Sequence, residues 1–347
     1  MPMVSGRKAH GEILFDESFL KKIGRLYIVS KKVFAGKLRA ERRSRRVGAG
    51  IEFADHRDYT PGDDFRYIDW NVYGRMKKLL LRLFEEEEDL CIYLLLDASN
   101  SMSWTPGASG AEQWSSREVT VEADRHFCST AITCSPVHLF QLRLGTARMG
   151  ETPKFDYARR VVAALAYIAL ANLDRVNIIP FADALRPQLT PKRGKGQVFR
   201  VFEFLRAVRP SGQTDMESSF RSFVHQTKRR GLAVVVSDFF DPHGYGRGLK
   251  LLCHHRFETF AIQVCDPAEA SPSVKGEMRL LDTETGEERI ATVSPQVLRA
   301  YEREFEEYCE RLESFCTSIR AGFLRTLTST PFEELVLKVF REGKFLK

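Results

Sequence analysis

Apolar residues in this chain come in short continuous runs, separated by stretches with helical spacing. CIYLLL (91–96), VNIIPF (176–181), LAVVVSD (232–238) and ETFAIQV (258–264) read as strands buried on both faces. Residues 155–173 are apolar nearly all round from Val161, the pattern of a buried helix. Residues 195–208 align Val198, Val201, Phe202 and Leu205, and further helices are predicted over 214–230 and about 244–255. Strand and helix alternating in this way predict a parallel α/β sheet with helices on both faces.

The flanks have a different texture. Residues 16–33 predict a helix with Phe19, Ile23, Leu26 and Tyr27 on one side. A basic stretch follows at 31–46, then a Gly- and Asp-rich segment at 48–70 whose TPGDD marks a turn. Leu79–Phe84 predicts a strand that runs into the acidic residues 85–89. After Pro267, EMRLLD and RIATV flank TETGEE and predict a hairpin at the sheet edge. Ser294 and Pro295 suit the cap and first turn of a long helix, and a last helix is expected at about 331–341. The organisation expected is a basic N-terminal lobe (1–90), a sheet domain (91–293) and C-terminal helices (294–347).

Charge sharpens the division. The chain has 347 residues and a formal charge of +7. Residues 1–50 hold 13 Lys/Arg and 4 Asp/Glu, a charge of +9, so the remainder carries −2 (7 minus 9). A uniformly basic, histone-like protein is excluded. Arg42, Arg43, Arg45 and Arg46 form a basic patch that suits nucleic acid or another anionic polymer. The patch lacks the interleaved aromatics that read single strands, so nucleic acid is disfavoured and a solvated helix or a dock for an acidic partner is expected. The absence of a long apolar run or signal-like start, and seven cysteines without CxxC spacing, predict reduced thiols in a cytoplasmic protein with no membrane span. Cys253, His254 and His255 are zinc-ligand types, but no second ligand pair is near, so a helix end is expected there. The fragment KRGKG (192–196) does not follow a strand and reads as a basic loop.

The usual nucleotide-loop, serine-hydrolase and zinc-protease signatures are absent. The most informative signal is Asp97-Ala98-Ser99-Asn100-Ser101, directly after a buried strand. Ligands of open parallel sheets bind beyond the carboxyl ends of the strands. One carboxylate and two hydroxyls at alternate positions of a tight turn can serve a hard cation such as Mg²⁺. The same residues also suit a strand-to-helix turn whose Asp and Ser cap backbone groups. Asp238 ends another strand at the same edge, and Thr214 opens a helix in SGQTDMES, where Thr214 and Glu217 also read as a capping box.

Taken together, Asp97-x-Ser99-x-Ser101, Thr214 and Asp238 resemble the metal-ion-dependent adhesion site of the von Willebrand factor type A fold. That resemblance implies a Rossmann-like sheet and Mg²⁺ (or Mn²⁺) held by the hydroxyls, with the aspartates acting largely through water and an acidic partner group completing the shell. The segment EFADHRDYTPGDDFRYIDWNVYGR (52–75), with KFDYARRVVAALAYIAL, VVVSDFFD and PFEELVL, resembles the domain of unknown function 58 family over roughly residues 40–342. Members are often encoded beside MoxR-type AAA+ ATPases, which implies an adaptor role and an AAA+ ATPase partner. The chain departs from the family where residues 103–152 intervene after the metal turn, a stretch too long for an ordinary loop and read as an insertion. Asp63, Asp64, Arg66, Asp69 and Arg75 suit either a second site for a partner or nucleotide, or a buried ion-pair network fastening the lobe to the sheet domain; the network is expected.

Three functions follow. The leading expectation is a Mg²⁺-dependent protein-binding adaptor without a catalytic constellation. The alternative is a metal-dependent phosphohydrolase using Asp97 and Asp238; that chemistry normally wants D-x-D, and the second position here is Ser99. The third is anionic-polymer binding through residues 31–46, with a steep dependence on salt.

Overall fold

The computed structural model describes residues 14–28, 43–47, 52–87, 91–103, 154–272, 276–281 and 288–342. Helix α1 (17–28) is followed by strands β1 (Arg43–Val47) and β2 (Glu52–Asp58), helix α2 (Trp70–Met76) and strand β3 (Leu80–Glu87). The three strands form an antiparallel sheet with β3 in the middle. The TPGDD turn forms as expected: the Asp63 N–H donates to the Thr60 carbonyl at 3.0 Å, and Gly62 takes a φ of 108°.

One expectation for this region is corrected. Residues 43–47 are a strand, not part of a solvated helix. Its register sets Arg43 opposite Glu87, Arg45 opposite Glu85 and Arg46 opposite Phe84. Arg42 lies outside the described residues, as do most of the 103–152 stretch and the TETGEE turn.

The remaining elements run β4 (Cys91–Asp97), α3 (Lys154–Ala171), β5 (Arg175–Phe181), α4 (Val198–Ala207), α5 (Met216–Gln226), β6 (Leu232–Ser237), α6 (Tyr245–His254), β7 (Glu258–Cys265), α7 (Pro267–Ala270), β8 (Gly276–Leu281), β9 (Glu288–Val293), α8 (Pro295–Ser318), β10 (Gly322–Leu327) and α9 (Phe332–Glu342). Five strands make one wholly parallel sheet in the order β10-β7-β6-β4-β5. The expected architecture is therefore present, with two corrections at its edge. The β8–β9 hairpin forms a sheet of its own, and the edge position belongs to β10. The chain beyond residue 294 is thus no helical appendage, because it supplies the fifth strand. Gly322 makes that edge possible: a Cβ there would lie 2.2 Å from the Phe260 ring.

The continuous apolar strands divide their side chains between two cores. Ile92, Leu94 and Leu96 of β4 face one core with α3, α4 and α9, while Cys91, Tyr93 and Leu95 face another with α5 and α6. Each large apolar side chain so enclosed contributes roughly 2 kcal/mol. Helix α1 joins the first core through Phe19, Ile23 and Leu26, and the Arg160 Nε donates to the Leu14 carbonyl. It belongs to the sheet body rather than to the N-terminal lobe.

The topology defines a ligand edge. Beyond β5, Leu189 bridges Ile178 and Leu185 bridges Phe181, both antiparallel. Counting that short ribbon as an edge strand, the order is 3-2-1-4-5-6, the doubly wound order whose ligands bind where the winding reverses. Here the reversal falls between β4 and β6. Asp97 ends β4 and Asp238 follows β6.

Candidate metal centre

Asp97 and the two serines after it are buried at the reversal point. The Ser99 N–H donates to Asp97 Oδ1 at 2.9 Å, and the Ser237 hydroxyl donates to Oδ2 at 2.5 Å. Ser99 Oγ and Ser101 Oγ lie 2.9 Å apart, so the turn presents two hydroxyls side by side. Burial pushes the Asp97 carboxyl up to about 7, the charge of Asp238 adds to the rise, and the Ser237 and Ser99 hydrogen bonds oppose it. Among the described residues, no cation pairs with Asp97.

The loop that carries Thr214 is bound to the same turn by backbone hydrogen bonds. The Ser211 N–H donates to the Ala98 carbonyl at 2.8 Å, the Asn100 N–H donates to the Gly212 carbonyl at 2.9 Å, and the Asp215 N–H donates to the Ala182 carbonyl at 3.0 Å. Gly212 has a φ of 76°, which lets the loop lie flat against the turn. The expected capping box at Thr214 is corrected: the cap of α5 is Asp215, whose side chain accepts from the Ser218 N–H. Asp241 accepts from the next orphan donor, the Met216 N–H, at 2.7 Å. Thr214 is fully buried.

Asp238 is aimed by an unusual backbone. Phe239, buried and bulky, takes a φ of 65°, in the left-handed region that favours glycine. The Ser237 hydroxyl accepts from the Phe239 N–H at 2.8 Å and the Tyr308 hydroxyl donates to the Phe239 carbonyl at 2.5 Å, which holds the turn. Asp238 Oδ1 accepts from the Phe240 N–H at 3.1 Å. Its Oδ2 has no directed hydrogen bond, although the Lys154 Nζ lies 2.8 Å away.

Lys154 was not anticipated. It opens α3, is fully buried, and also lies 2.7 Å from Glu269 Oε1 and over the Phe240 ring. Burial works against its charge, but Asp238 and Glu269 together hold the ammonium above the ordinary lysine range. Burial likewise raises Glu269, with Lys154 pulling the other way. A cation in the first turn of a helix opposes the helix dipole, and that is the one sequence signal that marks Lys154 as a residue needing acidic partners.

The donor set fits a hard divalent cation. Two carboxylates and three hydroxyls are hard oxygen ligands, and the one neighbouring cation, Lys154, is outnumbered by the acids around it. Among the described residues no group of three or more His, Cys, Asp or Glu could hold a metal, and Cys253 and His254 end helix α6. The five described cysteines are free thiols.

Residues 55–125 and 142–311 match the family described as "Protein of unknown function DUF58", so the match includes all five candidate ligands. The chain belongs to this family. An uncharacterized protein of Mycobacterium tuberculosis is 25% identical over 283 residues, covering 81% of this DUF58 chain and 75% of the relative, and one of Mycobacterium bovis matches equally. An uncharacterized protein of Mycobacterium avium is 34% identical over 83 residues, 24% of this chain and 48% of the relative. Among solved structures, the conserved hypothetical protein BatB of Bacteroides thetaiotaomicron aligns at a TM-score of 0.38 and 12% identity, covering 74% of this chain and 99% of that one. An aerotolerance-related membrane protein of Bacteroides fragilis aligns at 0.36 and 12%, covering 73% and 98%. The fold assignment rests on the strand order itself. Among the described residues, no helix is long and apolar enough to cross a membrane.

The GDD segment of this DUF58 chain forms ion pairs, but not the expected buried fastening. Arg57 pairs with Asp63 at 2.7 Å and Arg66 with Asp64 at 2.6 Å, both largely exposed, and Arg82 reaches the buried Asp69 at 3.0 Å, all within the lobe. Asp69 also caps α2 and meets His56 at 3.1 Å. These contacts staple β2, the turn, α2 and β3 to one another. Arg75 ends α2 and makes none of these pairs.

Proposed function

We propose that this DUF58 protein is a binding module. It takes a divalent cation, Mg²⁺ or Mn²⁺, at Asp97, Ser99, Ser101, Thr214 and Asp238, and uses it to capture an acidic side chain of a partner protein. When bound, the cation supplies a Lewis-acidic position for that carboxylate. The chain's own groups do the rest. Ser237 orients Asp97, the docked 211–215 loop holds Thr214 against the turn, and the strained Phe239 turn aims Asp238. A MoxR-type AAA+ ATPase is the partner that the family resemblance implies.

One observation carries the reading: buried oxygen side chains from separate segments converge at the winding reversal of the sheet with less positive charge than negative. The phosphohydrolase reading is weaker, because the position a second acid-base carboxylate would take is Ser99. Lys154 does not replace that carboxylate, since both its partners keep it charged and it is closed off from solvent. The test is a pull-down from the native host with wild type and Asp97→Ala, each with Mg²⁺ and with chelator, read by mass spectrometry. The proposal expects an AAA+ ATPase retained by wild type with Mg²⁺ and lost in the other three arms. Retention that ignores Mg²⁺ and Asp97, or phosphatase turnover lost in Asp97→Asn, contradicts it.

A further inference from the structure

We infer that Lys154 sets the charge of the ion this edge accepts, and so is a specificity-determining residue of the site. The inference rests on the metal reading above. Lys154 is no surface cation that can swing away: it has no exposed area, and its ammonium is held between Asp238 Oδ2 at 2.8 Å and Glu269 Oε1 at 2.7 Å. The acids are fixed as well. Asp238 Oδ1 accepts from the Phe240 N–H, and Glu269 Oε2 accepts from the Asp266 N–H at 2.9 Å in the capping box of α7. The triad therefore bolts the start of α3, the end of β6 and the end of β7 together, and travels with the fold.

The charges add simply. With Asp97 ionised, as a bound cation requires, Asp97, Asp238 and Glu269 contribute three negative charges and Lys154 one positive, leaving two negative charges (three minus one). Two further buried acids, Asp241 and Asp266, stand outside this ion-paired group: neither pairs with Lys154. Asp241 accepts from the Met216 and His243 N–H groups, each at 2.7 Å, and Asp266 accepts from the Ala268 N–H and the Thr328 hydroxyl. A buried cluster is least costly when its charges cancel. One divalent ion cancels two negative charges; a monovalent ion leaves one, and a trivalent ion overshoots. Without Lys154 the same oxygens would carry three negative charges and match a trivalent ion.

The experiment measures the ratio of Mn²⁺ to Lu³⁺ affinity by calorimetry on the full chain, Lu³⁺ being a trivalent ion of nearly the size of Mn²⁺. Lys154→Met should move the ratio toward Lu³⁺, and Glu269→Gln should move it toward Mn²⁺, each by roughly tenfold or more for one unit of nearby charge. The double variant Lys154→Met/Glu269→Gln restores the wild-type charge and should restore the wild-type ratio. A merely structural lysine would weaken both ions alike and leave the ratio unmoved, so unchanged ratios across the variants overturn the inference while leaving the metal reading intact. Failure of wild type to bind Mn²⁺ at all overturns the metal reading and this inference with it. If Lys154→Met alone does not fold, the Glu269→Gln shift and its reversal in the double variant still decide the matter.

Discussion

The N-terminal lobe and the sheet edge each gather aspartates, and they treat them in opposite ways. In the lobe every one of Asp63, Asp64 and Asp69 has its own arginine, and the Asp63 and Asp64 pairs stand largely in water. At the sheet edge Asp97, Asp238 and Glu269 are buried; Asp238 and Glu269 share one lysine, and Asp97 has only a hydroxyl and a backbone N–H. Exposed pairs contribute little and are weakened by salt. Buried acids short of counter-charge cost free energy until a cation arrives. Balanced acids thus shape a surface, and under-balanced acids make a binding site.

The comparison can be broken most severely at Lys154. Lys154→Ala leaves Asp238 and Glu269 buried without a cation, and should cost about 3–5 kcal/mol in urea unfolding; a loss under about 1 kcal/mol would show the triad to be loosely held. Next is Ser237→Ala, which removes the hydroxyl on Asp97 Oδ2. It should weaken Mg²⁺ binding about tenfold with little change in fold, as second-shell losses do, and unchanged affinity would show that Asp97 needs no orienting partner. In the lobe, the hydrogen bonds from Arg82 and then His56 hold Asp69 below the usual carboxylate range. A lowered folded-state value means stability that is present above the unfolded carboxylate value and lost as pH falls. Hydrogen exchange in β2 and β3 should therefore accelerate from pH 5 toward pH 3 relative to Asp69→Asn; parallel profiles for the two proteins would contradict this. The smallest effect is expected for Arg66→Ala, which removes an exposed pair and should leave the thermal midpoint within error of wild type.

Some of this was legible in the sequence and some was not, for identifiable reasons. The strands at 91–97, 175–181, 232–237 and 258–265 each hold a continuous apolar stretch that is buried on both faces, which leaves few other readings. The edge strand GFLRTL hides because it is buried on one side only and carries Arg325 on the other. β1 hides because its arginines suggest solvent, and only the distant acidic end of β3 makes them a strand. The candidate ligands were legible as oxygen types at strand ends. Their company was not: Lys154 looks like an ordinary helix-opening lysine until α3, β6 and α7 bring it between two acids far along the chain. The Thr214 capping box misled because Asp215, one residue on, is the equally good cap that the backbone uses.

The central claim is that the sheet edge takes a divalent cation through Asp97 and its hydroxyl neighbours. Calorimetric titration of Mg²⁺ into wild type and Asp97→Ala tests it most directly, with circular dichroism confirming that both are folded. The account predicts one site saturating at or below millimolar Mg²⁺ in wild type and no binding in the variant. Absence of binding in wild type, or the same binding in both, would contradict it.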